Sequence, residues 1–319
     1  MIVSGAELRE YAYYRTGGRC DRLYAPETIE ELQDSVQEIR RSGLPWFLLG
    51  GGTNSIVMDE HWPGAVLVFR HMQRLEVRGD VLYVEAGVDN TTIARRAHEH
   101  GLAGAAWMNR LPGQLGGTVR MNARCYGGEI SEIARRIVAV TRTGQVREYA
   151  DRAVFRGYKD TMFMDNGDLV AAAELQLAPG DRAEILAKMK FCEDDRTRKG
   201  QFLFPNCGCV YKNDYTVGVP SGMLLETAGA KTLRKGAAEV SQGHANFVYN
   251  KGATSRDILE LTIMMRELVY ERFGVWLEYE MEMLGHVPED LQERIAEVRP
   301  ASFKPEVEKL RAKFRERSA

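Results

Sequence analysis

No apolar run in this chain of 319 residues is long enough to span a bilayer, which excludes a helical membrane protein. An excess of basic charge is lacking too. Lys plus Arg number 43 against 45 Asp plus Glu, a net charge of -2, so no global positive field draws in nucleic acid or an anionic membrane surface. Cysteine is scarce and odd in number: the five are Cys20, Cys125, Cys192, Cys207 and Cys209. That density builds no disulfide framework, and reduced thiols in the cytoplasm are expected. The opening MIVSGAELREYAYY has no basic stretch before an apolar core, so no export leader is expected. The six histidines fall in no zinc pattern, and Cys207-x-Cys209 lacks a second ligand pair at usable spacing. No metal site, internal repeat or low-complexity tract is expected.

What remains is an ordinary globular composition, 44% hydrophobic and 28% charged, in a chain long enough for one large or two to three small domains. Residues 27–42 carry Ile29, Leu32, Val36 and Ile39 at helical spacing, with Gly43 as a stop. PWFLLGGGTNSIVMD reads as strand, glycine turn, strand. AVLVF and VLYVEAG continue the strand signal, NTTIARRAHEHGL reads as a capped helix, and RRIVAVTRTGQVREYA as a hairpin. Residues 109–128 read as a long glycine-rich loop, with Met121-Asn122-Ala123 on a strand-like step. LVAAAELQLAPG is a strand and RAEILAKMKFCEDDRTRKG a helix. Beyond about residue 200 the pattern restarts. GCVYKN, ANFVYN and VWLEYEMEML are expected strands, SGMLLETAG and SRDILELTIMMRELVYERFG helices, and a charged helical tail follows Pro288. The fold class is α+β.

Gly50-Gly51-Gly52-Thr53-Asn54-Ser55 lies between two apolar strands. Bare glycines let successive N–H groups curl into an anion-binding nest, which suits a pyrophosphate. The same triplet also suits a tight strand–strand turn. A second glycine-rich stretch, PGQLGG, lets a ligand lie on bare backbone, although an Ω-like loop would look similar. Two such loops, each flanked by strands, suit a large, flat, phosphate-bearing cofactor. In FPNCGCVYKN, residues 204–213, a thiol either does acid–base chemistry or is a small buried residue. Lys159 and Glu280, taken alone, read as solvated surface.

LGGGTNSIVMD, RLPGQLGGTVRMNARCYGGEI, GYKDTMF, RTRKGQFLFPNCGCVYKN, SGMLLETAGAKTLRKGAAEVSQGHANFVYNKGAT and LEYEMEMLG occur in that order over about residues 15–285. The set closely resembles the UDP-N-acetylenolpyruvoylglucosamine reductase (MurB) family, in its short-loop subgroup. The resemblance implies a two-lobed FAD-binding domain of the vanillyl-alcohol-oxidase type at 1–199, with lobes of about 1–75 and 76–199. A substrate-binding domain at 200–286 and a helical tail at 287–319 follow. It implies FAD, reduced by NADPH, and a nucleotide-sugar substrate, UDP-N-acetylglucosamine enolpyruvate, in a cytoplasmic monomer or weak oligomer. A same-fold flavoenzyme with another substrate and a non-catalytic homologue are the alternatives.

By that resemblance the cofactor set is Gly50, Gly51, Gly52, Thr53, Asn54, Ser55, Gly87, Arg110, Pro112, Gly113, Gly116, Gly117, Met121 and Asn122. The substrate set is Tyr158, Arg196, Lys199, Asn213 and Asn246. Lys159, Cys209 and Glu280 take the catalytic positions, with hydride delivered to C3 and a proton from Cys209 to C2, and Cys207 is a packing neighbour. Two of the three depart from the family pattern, which has Arg at 159 and Ser at 209. Arg120 and Arg124-Cys125 also replace residues that are usually Tyr and Gly-Ala.

Overall fold

The computed structural model describes residues 1–318; Ala319, the end of the expected tail, lies outside them. The chain divides into two compact units. The first comprises residues 1–6, 20–51 and 63–196, the second residues 7–19, 52–62 and 197–319. The sequence suggested a break after 199 and a separate tail. The reason for the different partition is visible in single contacts. Buried Tyr14 donates its hydroxyl to Val248 O at 2.8 Å, and Gly17 N–H reaches Asp59 Oδ1 at 3.0 Å, so both early segments belong with the later chain.

The first unit is built on two larger sheets. Strands Ile2–Ser4, Cys20–Tyr24, Trp62–Val68 and Trp46–Leu49 lie side by side in that order, the last two parallel with Trp46 opposite Ala65. The other sheet is antiparallel, in the order Val146–Tyr149, Ala134–Val140, Leu169–Gln176, Val81–Glu85, Leu75–Arg78. The helix Ile29–Ser42 starts where Thr28 accepts from Glu31 N–H and stops at Gly43, φ +68°. Its buried stripe, Leu32, Val36 and Ile39, packs with Ala65, Leu67, Val140, Leu169 and Ala171, joining both sheets in one core.

The second unit is built around the helix Ser255–Phe273, capped by a reciprocal Thr254–Asp257 box and ended by Gly274, φ +67°. Helix Ser221–Ala228, the strands Arg234–Lys235, Ala238–Val240 and Val248–Asn250, and a parallel pair of Ser55–Val57 with Glu282–Leu284 complete it. Two expected strands shrink here. GCVYKN and VWLEYEMEML make one isolated bridge, Tyr211 opposite Tyr279, plus the short strand at 282–284. The cause is Val210 O, which accepts from both Glu280 N (2.8 Å) and Met281 N (3.2 Å), so two residues oppose one and the ladder cannot continue.

The tail packs on this unit: Leu291, Val307 and Leu310 are buried in its core. Arg266 is the fastener. It is 2% exposed, lies 4.1 Å from the Trp276 ring and 4.7 Å from that of Tyr279, and donates to Ile295 O at 3.1 Å and to Arg294 O. Arg266→Met keeps the stem but removes the buried guanidinium's bonds to the Ile295 and Arg294 carbonyls and its charge over the two rings. It is expected to lower the unfolding free energy by about 2–4 kcal/mol in urea titrations. A loss under about 0.5 kcal/mol would mean that the tail is held by other contacts.

Candidate active site

The glycine-rich residues of the first unit form a cradle. Residues 113–116 zip onto 86–90: Leu115 N donates to Val88 O (2.9 Å), Gly116 N to Ala86 O (3.0 Å), and Asn90 N to Gly113 O (3.1 Å). A Cβ on Gly116 would lie 3.0 Å from Ala86 Cβ, so only glycine lets this segment sit on the sheet. What looked like an extended loop therefore contains a helix, Leu115–Arg120, with Met121 as its C-cap rather than on a strand. Gly51 meets Gly113 across the cradle, its built Cβ 3.3 Å from Gly113 Cα. Gly50 and Gly117 face open space, with no atom within 4 Å of a built Cβ. Asn90 Nδ2, Gln114 Oε1 and Asn122 Oδ1 are buried there without a hydrogen-bond partner. Bare backbone beside unsatisfied amides fits a large polar cofactor.

Other members of the cofactor set serve the frame. A Cβ on Gly87 would sit 1.9 Å from Phe69 O, and its N–H donates to Met72 O. Arg110, at φ +57°, donates its N–H to Thr91 Oγ1 (3.1 Å) and pairs with Glu193 (3.7 Å) beside Pro112. Asn122 donates to Glu129 Oε1 (2.5 Å) and Gly157 O (2.8 Å). In the second unit, Gly52 has φ +63° and its built Cβ would lie 2.8 Å from Ala12 Cα. Thr53 and Ser55 are half-buried, and Asn54 Nδ2 donates to Glu280 O at 2.8 Å.

That last bond leads to the segment of the second unit that carries Cys209 and Glu280. Glu280 N–H donates to Val210 O while its carbonyl accepts from Asn54, so its peptide is fixed from both sides. Cys209 and Glu280 are thereby brought together on adjoining backbone, each half-buried. Lys212 N–H reaches Glu278 O (2.9 Å), and its ammonium pairs with the Glu278 carboxylate (2.6 Å). Beneath them Cys207 is 2% exposed. Burial first, then the nearby charges of Cys209 and Glu280, push its thiol far above the ordinary cysteine range. Tyr14, against Cys207, is raised well above the tyrosine range by burial. Cys207 is a neutral pedestal.

The substrate set is spread more widely. Lys159 and Tyr158 lie in the first unit, in the turn between Phe155–Gly157 and Asp160–Thr161, with Lys159 at φ +55°. Arg156 braces that turn through Asp160 (3.1 Å) and Thr161 O (2.8 Å), and the Arg124 guanidinium lies 5.7 Å from the Tyr158 ring centroid. Arg196 is 5% exposed: it reaches Cys125 Sγ at 3.2 Å and Trp107 O at 3.4 Å and stacks 4.8 Å over Tyr126, whose hydroxyl donates to Asp195 (2.8 Å). Lys199 belongs to the second unit. Asn213 Oδ1 accepts from Ser221 N (2.9 Å), capping the helix Ser221–Ala228, and the Asn246 amide faces the Tyr211 backbone. The sequence reading passed over Asn90, Gln114, Asn206 and Tyr14. Asn206, inside P-N-C-G, was legible as a turn former: its Oδ1 accepts from Gly208 N (2.9 Å).

Residues 20–150 match the profile of an FAD binding domain, which makes the cradle that of a flavoprotein. Residues 199–284 match the C-terminal domain of UDP-N-acetylenolpyruvoylglucosamine reductase. Relatives of that name from Carboxydothermus hydrogenoformans and Geobacillus thermodenitrificans are each 33% identical, over 89% of this chain and 94% and 93% of theirs. The crystal structure of the Thermus caldophilus reductase (MurB) superposes with a TM-score of 0.74 at 31% identity, covering 89% of this chain and 98% of that one. The chain belongs to the UDP-N-acetylenolpyruvoylglucosamine reductase family. Among the described residues no helix is long and apolar enough to cross a membrane, and no group of three or more His, Cys, Asp or Glu is placed to hold a metal.

Two measurements test this geometry. Gly50→Val places a branched side chain in the open cradle; it is expected to leave the fold intact by circular dichroism while lowering flavin content at least ~10-fold. Full flavin content would remove Gly50 from the cradle. In native protein at pH 8, alkylation followed by mass spectrometry is expected to label Cys125 and Cys209. Buried Cys20 (thiol raised to about 11), Cys192 and Cys207 are expected to react only after unfolding. Early labelling of Cys207 would contradict the pedestal.

Proposed function

We infer that this chain is the NADPH-dependent flavoenzyme that reduces UDP-N-acetylglucosamine enolpyruvate to UDP-N-acetylmuramate in peptidoglycan synthesis, acting in the cytoplasm as a monomer or weak oligomer. The observation that carries the assignment of roles is the pairing of the Cys209 segment with the Glu280 segment. Gly50, Gly51, Gly113 and Gly117, with Asn90, Gln114 and Asn122 around them, would hold FAD, which when bound would supply hydride for C3 of the enolpyruvyl group at the expense of NADPH. The protein's residues manage the charge and the proton.

As C3 gains hydride, negative charge spreads from C2 into the substrate carboxylate. The Lys159 ammonium is the cation assigned to that charge. It keeps the sign of the family's arginine but loses the bidentate fork. C2 then takes a proton from the Cys209 thiol, and solvent must reload the sulfur. A thiol, with an unperturbed pKa near ~8.5, releases a proton to carbon far more readily than a serine hydroxyl. Glu280, its backbone fixed on both sides, lies next to Cys209 and is assigned to orient the substrate and the donor. Tyr158, Arg196 and Lys199 are assigned to the nucleotide sugar. Asn213 and Asn246 support the pocket through the backbone.

Separated half-reactions test the roles. Cys209→Ala and Glu280→Gln are each expected to leave anaerobic reduction of the flavin by NADPH unchanged. Reoxidation by the enolpyruvyl nucleotide should slow by ~10²–10⁴-fold. Cys209→Ser should retain substantial turnover. Reoxidation at the parent rate in Cys209→Ala removes the thiol from the reaction. If the unmodified protein itself fails to reoxidise with this nucleotide, the substrate is another one.

A further inference from the structure

The segment that presents Cys209 has almost no regular structure: between Gly200 and Ser221 the chain makes the single bridge at Tyr211. A proton donor must nevertheless stand within hydrogen-bond reach of its carbon, and an error near 1 Å lowers the rate by ~10²-fold. Something outside the segment must therefore hold it.

Asn246 is that support. Its side chain closes on both polar groups of one residue, accepting from Tyr211 N at 3.0 Å and donating to Tyr211 O at 2.9 Å. Its backbone carbonyl accepts from Val210 N at 2.9 Å. One asparagine thus reproduces three of the bonds that a neighbouring strand would make, on the two residues directly after Cys209. The residue is 1% exposed, so water does not compete for these bonds. Its own position is fixed by the turn between strands Ala238–Val240 and Val248–Asn250. There Ser241 N donates to Phe247 O (2.9 Å), Phe247 N to His244 O (2.9 Å), and Asn246 N to His244 Nδ1 (3.3 Å). Val210, held by Asn246 through its N–H, uses its carbonyl to take the N–H groups of Glu280 and Met281.

We propose that Asn246 is a positioning residue for proton transfer, which places Cys209 and Glu280 together by clamping Val210 and Tyr211. The inference rests on the reading of Cys209 as the donor. It differs from the role that resemblance suggested for Asn246, a contact to the substrate.

The test uses the flavin-loaded full chain. Asn246→Asp keeps the volume and the acceptor but removes the donor to Tyr211 O. Reduction by NADPH and the dissociation constant of the enolpyruvyl nucleotide are expected to stay within about twofold. Reoxidation should slow by ~10²-fold, with a larger solvent deuterium isotope effect. Combined with Cys209→Ala, the aspartate variant should slow reoxidation little beyond Cys209→Ala alone, because both changes remove the same step. A weakened nucleotide affinity with an unchanged limiting rate would overturn the proposal in favour of direct contact. Full additivity in the double variant, or an unchanged rate in Asn246→Asp where Cys209→Ala is slow, would overturn it as well. If Cys209→Ala itself is fast, the donor reading has failed, and the clamp falls with it. If Asn246→Asp does not fold, Asn246→Ser, which retains one hydroxyl toward Tyr211, carries the same comparisons.

Discussion

The carbonyl of Val210 is the junction on which the second unit's site depends. It accepts two N–H groups, from Glu280 and Met281, where a regular ladder would supply one. A carbonyl has two lone pairs, so the arrangement leaves no buried donor unsatisfied. The geometric consequence is larger than the energetic one. Pairing stops, and the chain on either side is free of the flat alternation of a sheet. Cys209 stands immediately before the junction and Glu280 immediately opposite. Had the ladder continued, both would have been ordinary strand positions among neighbours of the same kind.

Because no sheet holds this region, side-chain amides do. Asn54 takes the carbonyl of Glu280, Asn206 closes the turn at Gly208, Asn246 brackets Tyr211, and Asn213 caps the following helix. Asparagine suits the work because it carries a donor and an acceptor on a short stem, with few rotamers to freeze. Asn54 also follows closely on the glycine triplet Gly50-Gly51-Gly52. The chain that leaves Gly51 therefore reaches, within three residues, the side chain that fixes the Glu280 carbonyl.

Much of this was legible in the sequence, and the limits were physical. Helices with strong caps were plain: Thr28 and Gly43, or Thr254 and Gly274, mark their ends by local chemistry alone. The ordered motifs also located the cradle and the Cys209 and Glu280 segments. What local pattern could not show is which glycines are open and which are closed. Gly50 and Gly87 are alike in sequence, yet one faces empty space and the other touches backbone at Phe69. Nor could it separate an amide that contacts ligand from one spent on the frame, since Asn246 and Asn213 are decided by partners 35 and 8 residues away. The extended reading of VWLEYEMEML failed for the same reason: its alternation is real, with Leu277 and Met281 buried and Glu278 exposed, but its partner segment is irregular.

A thiol in the proposed donor role sets a requirement on its charged neighbours. In that proposed role Cys209 must remain protonated until C2 accumulates charge, so a strong neighbouring cation would defeat it by stabilising the thiolate. The nearest cation in the segment, Lys212, is held by Glu278 at 2.6 Å, which blunts its field. Glu280, on the other side, disfavours a thiolate at Cys207 through its own negative charge. Lys159, the cation proposed for the substrate carboxylate, belongs to the first unit and not to the segment that carries the thiol.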